Sequence, residues 1–260
     1  MFSTLNIRIG FFLALRQIRR ASLWTTSLII FVMVLTFLNS VVLSGILVGL
    51  IQGSVDAART EFTGDVIIST LEGKKYIENS QNLIARIRSL PDVERVSPRY
   101  SEGGILEANY RTRKDTDKPN TTGAQIIGID PEGENEVTGL ESKILEGAYL
   151  SPSDYDQVIV GYYLLSQYVP FDDPNFAALD NVGVGTKIRI ELAGLKREVT
   201  VKGIIKSKVD ALTRNVFMVD SELRSIIGRN DGNVDFIALK LKDGSLTTIT
   251  MDEYTELKRG

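Results

Sequence analysis

Histidine and cysteine are both absent from the 260 residues, so the side chains behind most nucleophilic and zinc chemistry are missing. A cysteine nucleophile, a histidine-based triad, the usual zinc sites and a disulfide scaffold are excluded together. Carboxylates and glycines remain at suggestive spacings. Asp130, Glu132, Glu134, Glu136 and Glu141 fall at positions 1, 3, 5, 7 and 12 of a calcium-loop frame. Asn135 stands where that loop needs its turn glycine, and a strand precedes the frame where a helix should. Acids in the first turn of a helix, favoured by its macrodipole, account for the pattern better. Gly183-Val184-Gly185-Thr186-Lys187 resembles a phosphate loop but lacks the GxxxxGK[ST] spacing and leads into a strand. Asp172-Asp173, in a proline-bearing loop, has no nucleophile or base converging on it and reads as solvated. Asn120-Thr121-Thr122 is a glycosylation sequon, informative only in a host that glycosylates exported proteins. No catalytic residue, no metal ligand and no cofactor is expected.

Charge divides the chain sharply. Residues 1–55 hold Arg8, Arg16, Arg19 and Arg20 but no lysine and no acid. All 33 acids lie beyond, with the other 26 bases, which leaves 56–260 at about −7. The net charge of −3 gives no global reason to expect nucleic acid. From Ala21 to Val55 there is no charge, and Leu23 to Ile51 is mostly Leu, Ile, Val and Phe. A bilayer core of roughly 30 Å needs about 20 apolar helical residues, so 21–55 reads as a transmembrane helix with length to spare. A cleaved signal peptide would have a shorter apolar stretch, and the twin-arginine reading of Arg19-Arg20 fits poorly before so long a run. Excess arginine before the span places the N-terminus in the cytoplasm and 56–260 outside it, at a cell (inner) membrane. Residues 1–20 then form a basic amphipathic elbow in the headgroup layer. Arg16, Arg19 and Arg20 reach lipid phosphates, and Trp24 sits as the interfacial aromatic. Gly45, Gly49 and Gly53 repeat every four residues, a spacing that lets another helix approach closely; glycine is also simply common in membrane helices.

The remaining 205 residues read as an α+β domain. Short strands are expected at 65–69, 93–108 (broken by Pro98 and by Gly103-Gly104), 124–129, 158–160, 216–219 and around Ile237 to Leu241. Leu83, Ile84, Ile87 and Leu90 predict a helix that Pro91 ends. Further helices are expected at 136–145, at 162–168, at 221–227 capped by Asp220, and at 251–258. Lys187 to Leu192 alternates strictly, and Ala193-Gly194 then turns the chain into Val199, Val201 and Ile205, which predicts a hairpin.

The order of several phrases resembles the N-terminal half of the FtsX/MacB-like ABC transporter permease family, which includes the lipoprotein-releasing permeases LolC and LolE. The phrases are Leu13 to Arg20, Gly64-Asp65-Val66, Leu90 to Arg99, Gly128-Ile129-Asp130-Pro131, Glu146 to Leu150, Val160-Gly161, Val184 to Lys187 and Val201 to Ile204. Their joint order extends over roughly residues 13–245, which is most of the chain. The resemblance implies a βαβ-rich, porter-like subdomain at 56–131 and 210–260 carrying a β-rich, sabre-like insertion at 132–209. It also implies mechanotransmission, in which motion from a separate cytoplasmic ATPase subunit reaches the outer domain. The partners implied are that ATPase, a second permease protomer and membrane lipid. Family permeases have four spans, whereas one is present here, so a fragment or a split half is expected. The very short tip of the 187–205 hairpin departs from the long arm by which LolC-like proteins engage a lipoprotein carrier. The competing reading is a stand-alone, single-pass extracytoplasmic binding or sensor protein.

Overall fold

A computed structural model of the chain describes residues 9–13, 16, 22–114, 116–169 and 177–242. It divides at Gly53/Ser54 into two units. The first consists chiefly of residues 23–53 of one helix, α1 (Leu23–Ala58), which carries no acid in its first turn and no base in its last. It is long and apolar enough to cross a membrane, and its apolar window is entirely exposed. Two of its hydroxyls turn inward on the helix itself. Thr36 Oγ1 donates to the Val32 carbonyl and Ser44 Oγ to that of Ser40, both at 2.8 Å, so neither needs water.

The second unit is a mixed α+β domain built on a closed barrel. Its elements are β1 (Val66–Ser69), α2 (Ser80–Arg88), β2 (Val93–Glu107), β3 (Thr121–Ile129), α3 (Pro131–Thr138), β4 (Ile144–Gly147), β5 (Gln157–Gly161), β6 (Lys187–Leu192), β7 (Leu195–Ile205), α4 (Asp210–Thr213), β8 (Val216–Val219), α5 (Asp220–Ile227) and β9 (Phe236–Leu241). Strands pair in the cycle β2-β3-β8-β5-β7-β6 and back to β2; β3 runs parallel to β8 and β5 to β7. Closure removes the edges an open sheet would expose. Three of the six strands (β5, β6, β7) come from residues 132–209 and three from the flanking sequence.

Alternation along each strand sorts the core. Leu106, Ile126, Val158, Val160, Ile188, Ile190, Val199, Val201, Val216 and Met218 form one buried cluster inside the barrel. Their strand neighbours Ile127, Ile129, Ile159, Ile205 and Phe217 form a second on its outside, with Leu140, Leu150 and Leu212. A third cluster lies where α2 packs Ile84 and Ile87 on the three-stranded layer β1-β9-β2.

The hairpin at 187–205 forms as expected, with Ala193 at φ 48° and Gly194 at φ 81°, both left-handed as a two-residue hairpin turn demands. Other expectations need correction. Pro98 and Gly103-Gly104 do not break β2, which runs unbroken for 15 residues. At Pro98 the strand pairs only with β9, the β3 ladder beginning at Tyr100, so one side of the strand asks for no donor. The helix expected at 136–145 lies earlier, at 131–138. Pro131 opens it, and left-handed Gly139 ends it. Residues 162–168 form two short 3₁₀ turns separated by an extended Leu165. Asp220 is the first residue of α5 and does not cap it; its carboxylate instead accepts from Arg224 Nε at 2.7 Å. The expected helix at 251–258 and Asp172-Asp173 lie outside the described residues.

Candidate functional site

Where the chain leaves α1 it widens into one π-helical turn, Arg59–Thr63, before Gly64 redirects it into β1. Such turns are uncommon and concentrate at functional positions. This neck, residues 59–65, is fastened to the domain at three separate places.

The first fastening is to β9. Arg59 Nε and Nη2 donate to Asp65 Oδ1 at 2.9 and 2.7 Å, Asp65 Oδ2 accepts the Leu241 N–H at 2.8 Å, and the Asp65 N–H donates to the Leu239 carbonyl at 2.7 Å. Gly64 sits at φ 67°, and a Cβ there would collide with the Leu239 carbonyl oxygen. Only glycine tolerates both constraints. The second fastening is Glu61, which accepts from Lys143 Nζ at 3.0 Å and from the Ser207 hydroxyl. Burial pushes the Glu61 carboxyl up, but those two donors outweigh it and hold it below the usual carboxylate range.

The third is a buried ion pair. Arg99 and Glu134 are each 1 % exposed, joined by Nε to Oε2 at 2.7 Å and Nη2 to Oε1 at 2.8 Å. Ser97 Oγ donates to Glu134 Oε2 at 2.7 Å, and Thr138 Oγ1 lies 2.7 Å from Oε1. Arg99 Nη2 also donates to the Phe62 carbonyl at 2.7 Å, and its guanidinium stands 4.7 Å from the centre of the Phe62 ring. One arginine therefore grips the neck by backbone and by ring while α3 neutralises it. A cavity of about 580 Å³ opens beside this turn, with Asp56, Arg59, Asp65, Glu136 and Lys240 among its lining.

The acids of the calcium-loop frame diverge: Glu134 points to Arg99, Glu136 pairs with Arg95 at 2.7 Å, and Glu141 accepts from Asn135 Nδ2 at 3.0 Å. No group of three or more potential metal ligands occurs among the described residues. The residues singled out from sequence lie elsewhere. Gly45, Gly49 and Gly53 follow one another on α1, each with open space where a Cβ would stand. Trp24 is 81 % exposed, Arg16 is exposed, and Arg19 and Arg20 lie outside the described residues. Sequence reasoning missed Phe62, Arg99 and Glu134 as a unit, because Arg99 stands among Glu94, Arg95 and Glu102 and Glu134 among Asp130, Glu132 and Glu136, with nothing local to set either apart.

No protein-family model matches the chain, and no curated protein matches it. Among the solved structures similar to it are an extracellular domain and a periplasmic region. The extracellular domain of the noncanonic ABC-type transporter YknZ from Gram-positive bacteria is 12 % identical, over 68 % of this chain and 82 % of that one, with a TM-score of 0.44. The periplasmic region of MacB from Actinobacillus actinomycetemcomitans is 20 % identical, over 74 % of each chain, with a TM-score of 0.43.

Proposed function

We propose that the chain is part of an ABC transporter permease subunit whose outer domain receives motion, through α1 and the neck, from ATP hydrolysis on a separate cytoplasmic ATPase. In this reading residues 21–55 cross the inner membrane with the N-terminus in the cytoplasm, and the domain stands outside. Gly45, Gly49 and Gly53 pack the span against other helices, including those of a second permease protomer. The chain itself hydrolyses nothing. Porter-like and sabre-like parts of the domain, 56–131 with 210–260 and 132–209, would move on a substrate for export, or for release of a lipid or lipoprotein.

The observation that carries the proposal is the neck. A buried ion pair costs desolvation that an apolar pair of similar volume would avoid, so Arg99–Glu134 is an expensive way to stabilise a core. What it supplies beyond cohesion is direction: fixed bonds to one carbonyl and one ring of the segment that follows the apolar helix. A joint that must pass on push and twist needs such bonds, whereas a tether for a freely standing domain does not. The test is purification of the tagged full chain from its native membranes in mild detergent. The proposal expects an ATPase subunit in stoichiometric amount and ATP hydrolysis by the complex, with none by the chain once that subunit is removed. A chain that purifies alone from membranes, with no nucleotide response, would favour the single-pass binding or sensor protein.

A further inference from the structure

A second buried carboxylate lies away from the neck and takes no part in it. Glu222, in the first turn of α5, is 2 % exposed. Its Oε1 accepts the backbone N–H of Asp156 at 2.7 Å, while its Oε2 is buried with no hydrogen-bond partner among the described residues. An ionised carboxylate offers about four acceptor positions, and here one donor reaches it.

Its surroundings sharpen the problem. Asp156 adopts the left-handed conformation, φ 54°, just before β5. That turn aims its N–H at Glu222 and its carboxylate at β7, where Arg197 Nε and Nη2 donate to it at 2.6 and 3.0 Å. The Asp156 carbonyl accepts the Thr200 N–H at 2.8 Å, and the Tyr155 ring lies 5.5 Å from the Arg197 guanidinium. The charged groups facing Glu222 from β5 and β7 are thus Asp156 and Arg197, already paired with each other. On its own helix Asp220 is paired with Arg224. β3 and β8, on which α5 also packs, carry no charged side chain, so among the described residues no cation pairs with Glu222. Burial, and then the Asp156 carboxylate, push the Glu222 carboxyl up to about 7; the Asp156 N–H and Arg197 oppose the shift and lose.

We propose that Glu222, Asp156 and Arg197 form a proton-operated latch that holds α5 to the β5–β7 side of the barrel when Glu222 is protonated and loosens when it ionises. Ionisation leaves a charge buried against a second carboxylate, and the first turn of α5 relieves it by letting Oε2 reach water. The movement has a path onward. Arg224, two residues along, donates to the Asp231 and Asn233 carbonyls at 2.7 and 2.9 Å, and the Val234 N–H donates to Ser80 Oγ at 3.1 Å, at the start of α2. The inference is independent of the transporter reading.

The folded-state value lies above the ordinary 4.5, so folding binds a proton between the two values. The stability this confers is complete below about 4.5 and is lost as pH rises through about 7. The full chain in detergent micelles should lose about 3–6 °C of thermal midpoint between pH 6 and pH 8.5. Glu222→Gln, which cannot ionise, should remove that part of the fall and melt higher than wild type at pH 8.5. Wild type and Glu222→Gln falling in parallel would overturn the proposal. If Glu222→Gln does not fold, Asp156→Asn serves, because asparagine keeps the N–H and tolerates the left-handed backbone. It should move the step to lower pH, and an unmoved step would overturn the latch. Amide hydrogen exchange, corrected for the intrinsic pH effect, should show α5 and residues 229–234 opening at pH 8.5. Protection unchanged there would equally refute it.

Discussion

Glu134→Ala is the sharpest perturbation of the neck. Both members of the Arg99–Glu134 pair are 1 % exposed, and removal of the carboxylate strands a buried guanidinium with only the Phe62 carbonyl and ring for compensation. Breaking a buried pair in this way costs about 3–5 kcal/mol. Domain stabilities are about 5–15 kcal/mol, so the loss is a large part of the total. At about 2–4 °C per kcal/mol for a domain of this size, the thermal midpoint should fall by about 6–20 °C. Removing both charges behaves differently. Arg99→Met with Glu134→Leu leaves no unpaired ion and should recover most of the loss, because apolar replacements of a buried pair are often neutral. The double variant still lacks the bond to the Phe62 carbonyl, so the neck should exchange its amides faster although the domain is stable. The assay is thermal unfolding of the full chain in detergent, wild type against Glu134→Ala and the double variant. A Glu134→Ala loss below about 1 kcal/mol, or a double variant no better than the single, would refute the reasoning.

The remaining expectations concern the membrane and the domain. The protein should resist alkaline carbonate extraction, and protease added outside spheroplasts should digest 56–260; a protected domain with an accessible N-terminus would reverse the arginine-based orientation. Residues 56–260 alone should be soluble and unfold cooperatively, since the three buried clusters all lie there; an aggregated product would mean the core needs the span. Gly49→Leu fills the open face between Gly45 and Gly53, and it should weaken helix association in a membrane assay without impairing insertion; equal association would leave these glycines without a packing role.

How far the sequence foretold this molecule depends on the range of each interaction. The hairpin at 187–205 was legible because alternation and a two-residue turn are local, and so was α2, whose Ile84 and Ile87 lie one turn apart. Barrel closure was not legible. It rests on β6 pairing with β2, about 85 residues apart at Leu106↔Ile190, and both strands alternate equally well in an open sheet. The neck was hidden for the same reason. Glu134 belongs to a run of acids that a helix N-terminus explains, and nothing near it says that it alone turns inward to an arginine 35 residues earlier. Asp220 shows the opposite failure: a residue type favoured at caps was drawn into the helix by a partner four residues on.

The proposed function requires the outer domain to move when ATP is hydrolysed on the other side of the membrane. The chain has no cysteine, so Leu195→Cys at the exposed hairpin tip gives a single reporter. In native membrane vesicles with the domain outward, a membrane-impermeant maleimide should label this position at one rate without nucleotide and at a different rate when ATP is sealed inside. The difference should vanish with a non-hydrolysable analogue or with Glu134→Ala. Identical rates under all these conditions, in vesicles whose associated ATPase is active, would overturn the proposed function.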